Sequence, residues 1–467
     1  ATLHQFLQER ILVVDGAMGT AIQSLGLSAA AFGGAQSEGC NEHLNLTRPN
    51  AIASVHRSYL EAGAAIIETH TFGSTPLVLA EYGLADKARE ISRAGAAIAR
   101  QVADAFSTPE RPRFVAGSMG PTTKAISVTG GVTWDALAEH YRVQAAGLLD
   151  GGADFLLVET SQDTLNVKAA LEGIDRACAD LGIRVPVAVQ CTIEAMGTML
   201  GGQDVEAFYT SIAHRDLLWA GMNCATGPEF MRDHLRTLAA ISRFPVAVIP
   251  NAGLPDEDGC YNETPEMIAR TLASYIQQGW VNVIGGCCGT TAEHIKRLAE
   301  IAKGQRPRTP VERHATVVAG LETLVIDQDT RPVIVGERTN VLGSRAFKRL
   351  INEGKYEEAA EVGRHQVRSG AHILDVCLQD PDRDEVQDVT RFIDLLVRKV
   401  KAPLMIDSTD AHVIEEALKR TQGKCIINSI NLEDGEERFK VVVPLARRFG
   451  AALIVGCIDE DKQQAQA

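Results

Sequence analysis

The chain has 467 residues, more than one ordinary core holds, and this points to two or three folded units. Hydrophobic residues make up 45% and charged residues 23%, which excludes a disordered or fibrous protein. With 46 basic against 60 acidic residues the formal charge is −14, which argues against nucleic acid or an anionic membrane as partner and favours small-molecule chemistry.

Residues 1–10 carry no signal-peptide pattern, and no apolar run approaches the roughly 20 residues of a membrane span, so a cytoplasmic location without a membrane partner is expected. Runs of strand character recur at 11–16, 65–72, 114–120, 155–160, 185–192, 217–225, 246–253 and 281–289. Between them, 52–62, 85–105, 134–149, 167–181 and 266–278 place apolar residues at helical spacing. Such alternation implies a parallel sheet. Eight units in roughly 300 residues match a closed (β/α)8 barrel of the TIM type. An open doubly wound sheet is the structural rival, but no G-x-G-x-x-G follows the first strand. The stretch 26–40, rich in Gly, Ala and Ser, is too long for an ordinary βα loop and reads as a lid or a disordered excursion.

Residues 304–310 are polar and proline-containing and open a linker expected over 304–331, dividing a first unit, 1–303, from a second, 332–467. Beyond it strands are expected at 333–340, 372–378, 404–408, 425–431 and 451–458, with helices at 345–352, 356–369, 388–400 and 412–420, before a polar tail. Five units are too few to close a barrel, so the second unit is expected to be the N-terminal part of an incomplete β/α barrel, with an open sheet as the alternative.

Carboxyl ends of strands build the active face of a parallel barrel. Here they carry Asp15, Gly16 and Ala17 on the first strand, Glu159 on the fourth, Cys224 on the sixth, Asn251 on the seventh and Cys287 with Cys288 on the eighth. Ten cysteines are too sparse for a disulfide framework, and in a reducing compartment clustered cysteines point to metal or catalysis. Three thiolates suit a catalytic Zn²⁺ with one position left open. A substrate thiol there would be held as thiolate, whereas free thiols, with a pKa of about 8.5, are mostly protonated at neutral pH. Cys224, Cys287 and Cys288 are thus expected to be both metal ligands and catalytic residues. Taken alone, Cys224 reads as a small buried hydrophobe, as do the remaining cysteines, including Cys191 and Cys260. Asp15 and Glu159 are candidates for binding an ammonium group, against the readings of a helix cap and a solvated acid. Asn251 positions substrate, meets the metal through its amide oxygen, or is a turn residue. His70 and His294 are expected to be structural.

At these residues the sequence resembles the homocysteine methyltransferase family: Asp-Gly-Ala-Met-Gly-Thr at 15–20, Gly-x-Asn-Cys at 221–224, Pro-Asn-Ala-Gly at 250–253 and Gly-Gly-Cys-Cys-Gly-Thr-Thr at 285–291. The resemblance covers about the first 300 residues. It implies a three-cysteine zinc site at Cys224, Cys287 and Cys288, homocysteine held by Asp15, Gly16, Ala17 and Glu159, and Asn251 near the metal. His70 departs from it, standing where the family usually shows asparagine. Val-Gly-Glu-Arg-Thr-Asn at 335–340 looks like the opening of the pterin-binding barrel of the cobalamin-dependent methionine synthases, and Leu-Asp-Val at 374–376, Ile-Asp-Ser at 406–408 and Ile-Asn-Ser at 427–429 resemble its next strand ends. This implies a pterin held by Asn340, Asp375, Asp407 and Asn428, residue types that match the donor–acceptor edge of such a ring. Cys377 departs from that pattern.

Together the resemblances imply transfer of a methyl group from methylcobalamin, carried by a module outside this chain, to a zinc-held homocysteine thiolate. 5-Methyltetrahydrofolate would then remethylate the cobalamin. The rivals are a cobalamin-independent methyltransferase using a betaine or sulfonium donor, and a zinc- and thiol-binding module without turnover.

Overall fold

The computed structural model describes residues 3–433 and 435–458; the expected polar tail lies outside the described residues. Eight strands form the first sheet: β1 Leu12–Val13, β2 Ile66–Glu68, β3 Phe114–Met119, β4 Phe155–Ser161, β5 Val187–Cys191, β6 Ala220–Asn223, β7 Val246–Ile249 and β8 Val283–Ile284. Their order is β1-β8-β7-β6-β5-β4-β3-β2. Leu12 pairs with Val283 and Val13 with Ile284 in parallel register. The remaining seam, β1 to β2, is carried by a parallel bridge from Val14 to Ile66. There the Ala65 amide donates to the Val13 carbonyl at 2.8 Å and the Asp15 amide to the Ile66 carbonyl at 3.0 Å. The ring closes as a (β/α)8 barrel.

Local chemistry accounts for the surrounding helices. Those at Trp134–Asp150, Thr164–Leu181, Val205–Ile212 and Pro265–Gln277 begin after Thr133, Asp163, Asp204 and Thr264, whose side chains accept amide hydrogens of the first turn. The barrel interior alternates small and large residues: Ala116, Ala188 and Ala247 leave room for Phe155 and Trp219, which meet edge-on at 5.0 Å. The helix Leu3–Glu9 adds Phe6 and Leu7 to the same cluster. The stretch 26–40 is folded, with two 3-10 turns at Ala29–Phe32 and Ala35–Ser37 and with Phe32 and Cys40 buried.

Within the segment expected to be a linker lies an antiparallel hairpin, β9 Thr316–Ala319 and β10 Thr323–Ile326. Ahead of it, the buried Arg308 guanidinium donates to the carbonyls of Ala239, Ser242 and Phe244, fastening the segment to the barrel. The second sheet contains β11 Val335–Gly336, β12 Ile373–Val376, β13 Leu404–Asp407, β14 Ile426–Ile430 and β15 Ala452–Val455, all parallel and in sequential order. A doubly wound sheet would reverse order at a switch point. These five strands do not, so they form part of a barrel. One of their helices, Glu437–Phe449, holds Pro444 in its interior, a residue that argues against a helix from sequence alone.

The hairpin joins the two sheets. Val318 packs with Ile373, Met405 and Ile426 of the second. The Ala319 and Lys424 main chains bond reciprocally at 3.1 and 2.9 Å, while the Asp204 amide of the first unit reaches the Leu321 carbonyl. Trp134 meets Phe449 at 5.4 Å between ring centroids. Arg448 lies over Trp134 and spans Glu172 at 2.8 Å and Glu415 at 2.9 Å. Buried Lys168 donates to the Gly423 carbonyl. Gly423 has φ +75°, and a Cβ there would collide with the carbonyl oxygens of Ala319 and Gly320. Gly423→Ala should therefore destabilise the second unit by about 1–3 kcal/mol. The check is its calorimetric melting transition, which should fall while that of the first barrel moves less.

Candidate functional site

The carboxyl ends of the eight strands surround a cavity of about 570 Å³. Cys224 follows β6, and Cys287 and Cys288 follow β8; their sulfurs lie within 4.8 Å of one another. The Cys224 and Cys288 sulfurs are 3.9 Å apart. The backbone is strained to bring them there. Cys224 and Ala225 have φ of 61° and 55°, a left-handed conformation that ordinary residues avoid at a cost of order 1–3 kcal/mol. Gly286 lies so close to the Thr290 side chain that a Cβ would clash with its hydroxyl. The turn is tied down by Cys287 N–H to the Pro250 carbonyl at 2.8 Å and by Ala252 N–H to the Cys288 carbonyl at 2.9 Å. Asn251 is buried, and its amide oxygen accepts the Cys288 N–H at 3.1 Å, so it positions a cysteine. Hydrogen bonds from Cys224 and Cys287, and another from the Tyr261 hydroxyl, make Cys288 the acidic thiol of the three.

The same cavity is lined by the carboxyls of Asp15, Glu42, Glu68 and Glu159, of which Glu42 accepts the Gly73 amide at 2.7 Å. Asp15 is buried; its Oδ2 accepts the Glu68 amide at 3.1 Å and its Oδ1 has no partner. Glu159 accepts from Ser118 Oγ at 2.5 Å and from Asn223 Nδ2 at 3.1 Å. Burial pushes the Glu159 carboxyl up to about 7 and raises Asp15 well above the ordinary range. Glu68 is raised by burial and then by Glu159 and Asp15, and its Oε1 is also unpartnered. Among the described residues lining the cavity there is no lysine or arginine. Asp15 and Glu68, each with an unpartnered oxygen, stand with Glu159 and without a counter-cation, and so form a receptor for a cationic group. Gly16 and Ala17 line the same wall, where the Tyr59 hydroxyl donates to the Ala17 carbonyl at 2.8 Å.

Sequence reasoning overlooked Glu68, Ser118, Asn223 and Tyr261. Glu68 ends β2 and Asn223 ends β6, so a place at a strand terminus was the available signal for both; Ser118 had none. His70 also lines the cavity, but its Nε2 is bonded to the Asn41 carbonyl at 2.7 Å. His294 accepts the Thr291 amide at Nδ1 and bonds the Glu263 carbonyl through Nε2, capping its helix. Cys191 is buried in the barrel and Cys260 is exposed.

On the second sheet, Asn340, Asp375, Asp407 and Asn428 converge at the carboxyl rim. Asn340 Nδ2 donates to Asp375 Oδ2 at 3.0 Å, while its Oδ1 accepts the amides of Leu342 and Gly343. Asp407 pairs in register with Asn428. Burial pushes Asp375 up to about 6 and raises Asp407 as well. Arg438, which sequence reasoning did not single out, donates to the carbonyls of Ser408, Thr409 and Ser429 and fixes the rim. Cys377 is buried below, its thiol pushed up to about 12.

The profile of the homocysteine S-methyltransferase family matches residues 12–302, and that of the pterin binding enzymes matches 336–467. Two methionine synthases are each 41% identical over 99% of this chain, one from Mycobacterium tuberculosis and one from Mycobacterium leprae. The chain spans 39% of the length of each. The oxidised form of a homocysteine methyltransferase from Escherichia coli superposes with a TM-score of 0.51 at 24% identity, covering 62% of this chain and 95% of that one, which shows a shared barrel fold.

Because Asp375 is raised from 3.8 to about 6 on folding, the folded state holds its proton more tightly than the unfolded chain. Its contribution to stability is greatest below pH 3.8, falls as pH rises through about 6, and is flat above. Asn340→Ala removes a hydrogen bond to the carboxylate, so the Asp375 carboxyl should titrate higher still. Carboxyl carbon NMR and urea midpoints against pH would show it.

Proposed function

The chain belongs to the homocysteine S-methyltransferase family, and from that premise we propose that its first barrel binds homocysteine at a zinc-holding three-cysteine site for methylation to methionine, while its second unit binds 5-methyltetrahydrofolate. One observation carries the reading: three sulfurs within 4.8 Å share a single cavity with the buried carboxyls of Asp15 and Glu159 and the half-buried carboxyl of Glu68. Three thiolates on one tetrahedral zinc stand about 3.8 Å apart, and the 3.9 Å between Cys224 and Cys288 fits that donor set. Bound there, the ion would lower the substrate thiol's pKa and keep its sulfur nucleophilic at neutral pH.

The chain's own residues supply the rest. Asp15 and Glu159, with Glu68 beside them, hold the ammonium of homocysteine through charge-assisted bonds and fix the sulfur's approach. Ser118 and Asn223 orient Glu159. Asn251 and Tyr261 hold Cys288. On the second rim, Asp375 and Asp407 accept from the amino and ring N–H groups of a pterin, with Asn340 and Asn428 beside them. Methylcobalamin, supplied by a further module of a longer protein, would be the shared methyl carrier; the greater length of the mycobacterial relatives accords with such a module.

The test is zinc content and homocysteine binding in the native chain and in Cys287→Ala. One zinc per chain is expected, with thiol binding and proton release that vanish together in the variant. Zinc retained by the variant, or homocysteine bound equally well without zinc, would remove the metal from the reaction. Asn251→Ala should weaken metal binding by about 10–100-fold. Methionine formed from free methylcobalamin supports the reading. Turnover with a betaine or sulfonium donor alone would favour the cobalamin-independent rival.

A further inference from the structure

The contact between the two units buries groups that the proposed reaction does not use. A hollow of about 250 Å³ lies where the first barrel, the hairpin and the second unit meet, lined by Tyr209, His214, Arg243, Arg313, Val317 and Lys424 among others. His214 stands just past the helix Val205–Ile212 of the first barrel. Its ring rests on Gly450 of the second unit, which has φ +72° and where a Cβ would overlap the imidazole. The Nδ1 atom is buried there without a hydrogen-bond partner. On the helix Thr164–Leu181, Lys168 reaches across the same contact. Its buried ammonium donates to the Gly423 carbonyl and has no carboxylate partner among the described residues.

Charge decides what this contact tolerates. Burial first, then Lys168, Arg215 and Lys424, push His214 down to about 3, while the Arg448 main chain acts the other way. Burial also brings Lys168 down to about 8 and lowers Lys424. Arg243 is spent on the carbonyls of Ala213 and Arg215. The acids of the same contact are engaged elsewhere: Asp175 with Arg215 at 2.6 Å, and Glu172 and Glu415 with Arg448 at 2.8 and 2.9 Å. A proton on His214 would therefore add a positive charge to a desolvated spot already facing three cations. When the units part, the imidazole returns to water and to its ordinary pKa of about 6.5.

We infer that His214 is a proton-sensitive latch between the two units: neutral, it lets them dock and holds their two rims in a fixed relation, and protonated, it loosens them. A base that holds its proton less tightly when docked favours docking above its free pKa and opposes it below. With His214 at about 3 docked and about 6.5 free, the docking equilibrium weakens about tenfold between pH 7.5 and 5.5. Other groups of the contact contribute little in that window. Lys168 stays mostly charged through it, and Glu172, paired with Arg448, titrates below the ordinary carboxylate range. The latch rests on the contact alone, whatever the two rims bind.

Amide hydrogen exchange of the whole chain, corrected for its intrinsic pH dependence, tests this at the reciprocal main-chain bonds of Ala319 and Lys424, which break when the units part. Their protection should fall about tenfold from pH 7.5 to 5.5, and in His214→Gln, neutral at both, it should change less than about twofold. Exchange of the imidazole C2 hydrogen, read by mass spectrometry on the peptide that carries His214, follows its titration in the unsubstituted chain and so needs no variant to fold. Half-titration below about pH 5 is expected there, against about 6.5 for a free imidazole. Half-titration at the free value, equal protection at both pH values, or the same tenfold loss in His214→Gln would overturn the latch. Low protection at both pH values in His214→Gln would reduce the ring to a packing element and overturn it equally.

Discussion

Closure of eight parallel strands into one ring is the constraint on which the rest of the first unit depends. A parallel barrel sends every strand terminus to the same face, so side chains from β1, β2, β4, β6 and β8 share one cavity although they are separated by up to about 270 residues. The seam is the narrowest part of that closure, with a single bridge from Val14 to Ile66 between β1 and β2. Asp15 follows that bridge at once. Its backbone amide helps close the ring and its carboxylate accepts the Glu68 amide, so the ring and the acid cluster are built from the same few atoms.

Electrostatics give the rim its chemical character. Four carboxyls and three thiols line one hollow, and burial raises Asp15, Glu68 and Glu159 because no lysine or arginine of the described lining offsets them. Left-handed backbone at Thr160, Cys224 and Ala225 falls at the same rim. Strain of this kind persists only where the surroundings over-determine it, here the hydrogen bonds that fix the turns after β6, β7 and β8. Such a site is complementary to a cation at one end and a soft metal at the other. The two demands are met by different strands, so neither side chain set compromises the other.

The second unit is held to the first by contacts of a different kind. The β9–β10 hairpin buries Val318 in the second sheet while bonding to the helix cap at Asp204 of the first. Arg448 stacks on Trp134 and forms a two-pronged pair with Glu172, a planar geometry that lysine cannot copy. Gly423 admits the hairpin only because it lacks a side chain.

Much of this was legible in the sequence. Alternating periodicity located the strands because burial on both faces enforces apolar runs of strand length, and Gly-Gly-Cys-Cys-Gly stood out because few structural needs place two thiols side by side among glycines. Asp15 and Glu159 could be singled out at the carboxyl ends of expected strands, and Asn340, Asp375, Asp407 and Asn428 through motifs that resemble those of the pterin-binding family. Other features had no local signature. Ser118 and Asn223 became partners of Glu159 only when three strands were laid side by side, and Asn251 turned its amide toward the cysteine backbone. The hairpin's β-branched runs sat in a stretch whose prolines and charges suggested a linker. Trp134 and Phe449, 315 residues apart, acquire meaning only as neighbours. The sequence by itself determined which elements form and which residues end them, since those depend on interactions a few residues apart. Which side chains meet, and which charges are left without a partner, was decided by the closed ring and the packing of the two units, because only burial brings distant parts of the chain within bonding reach.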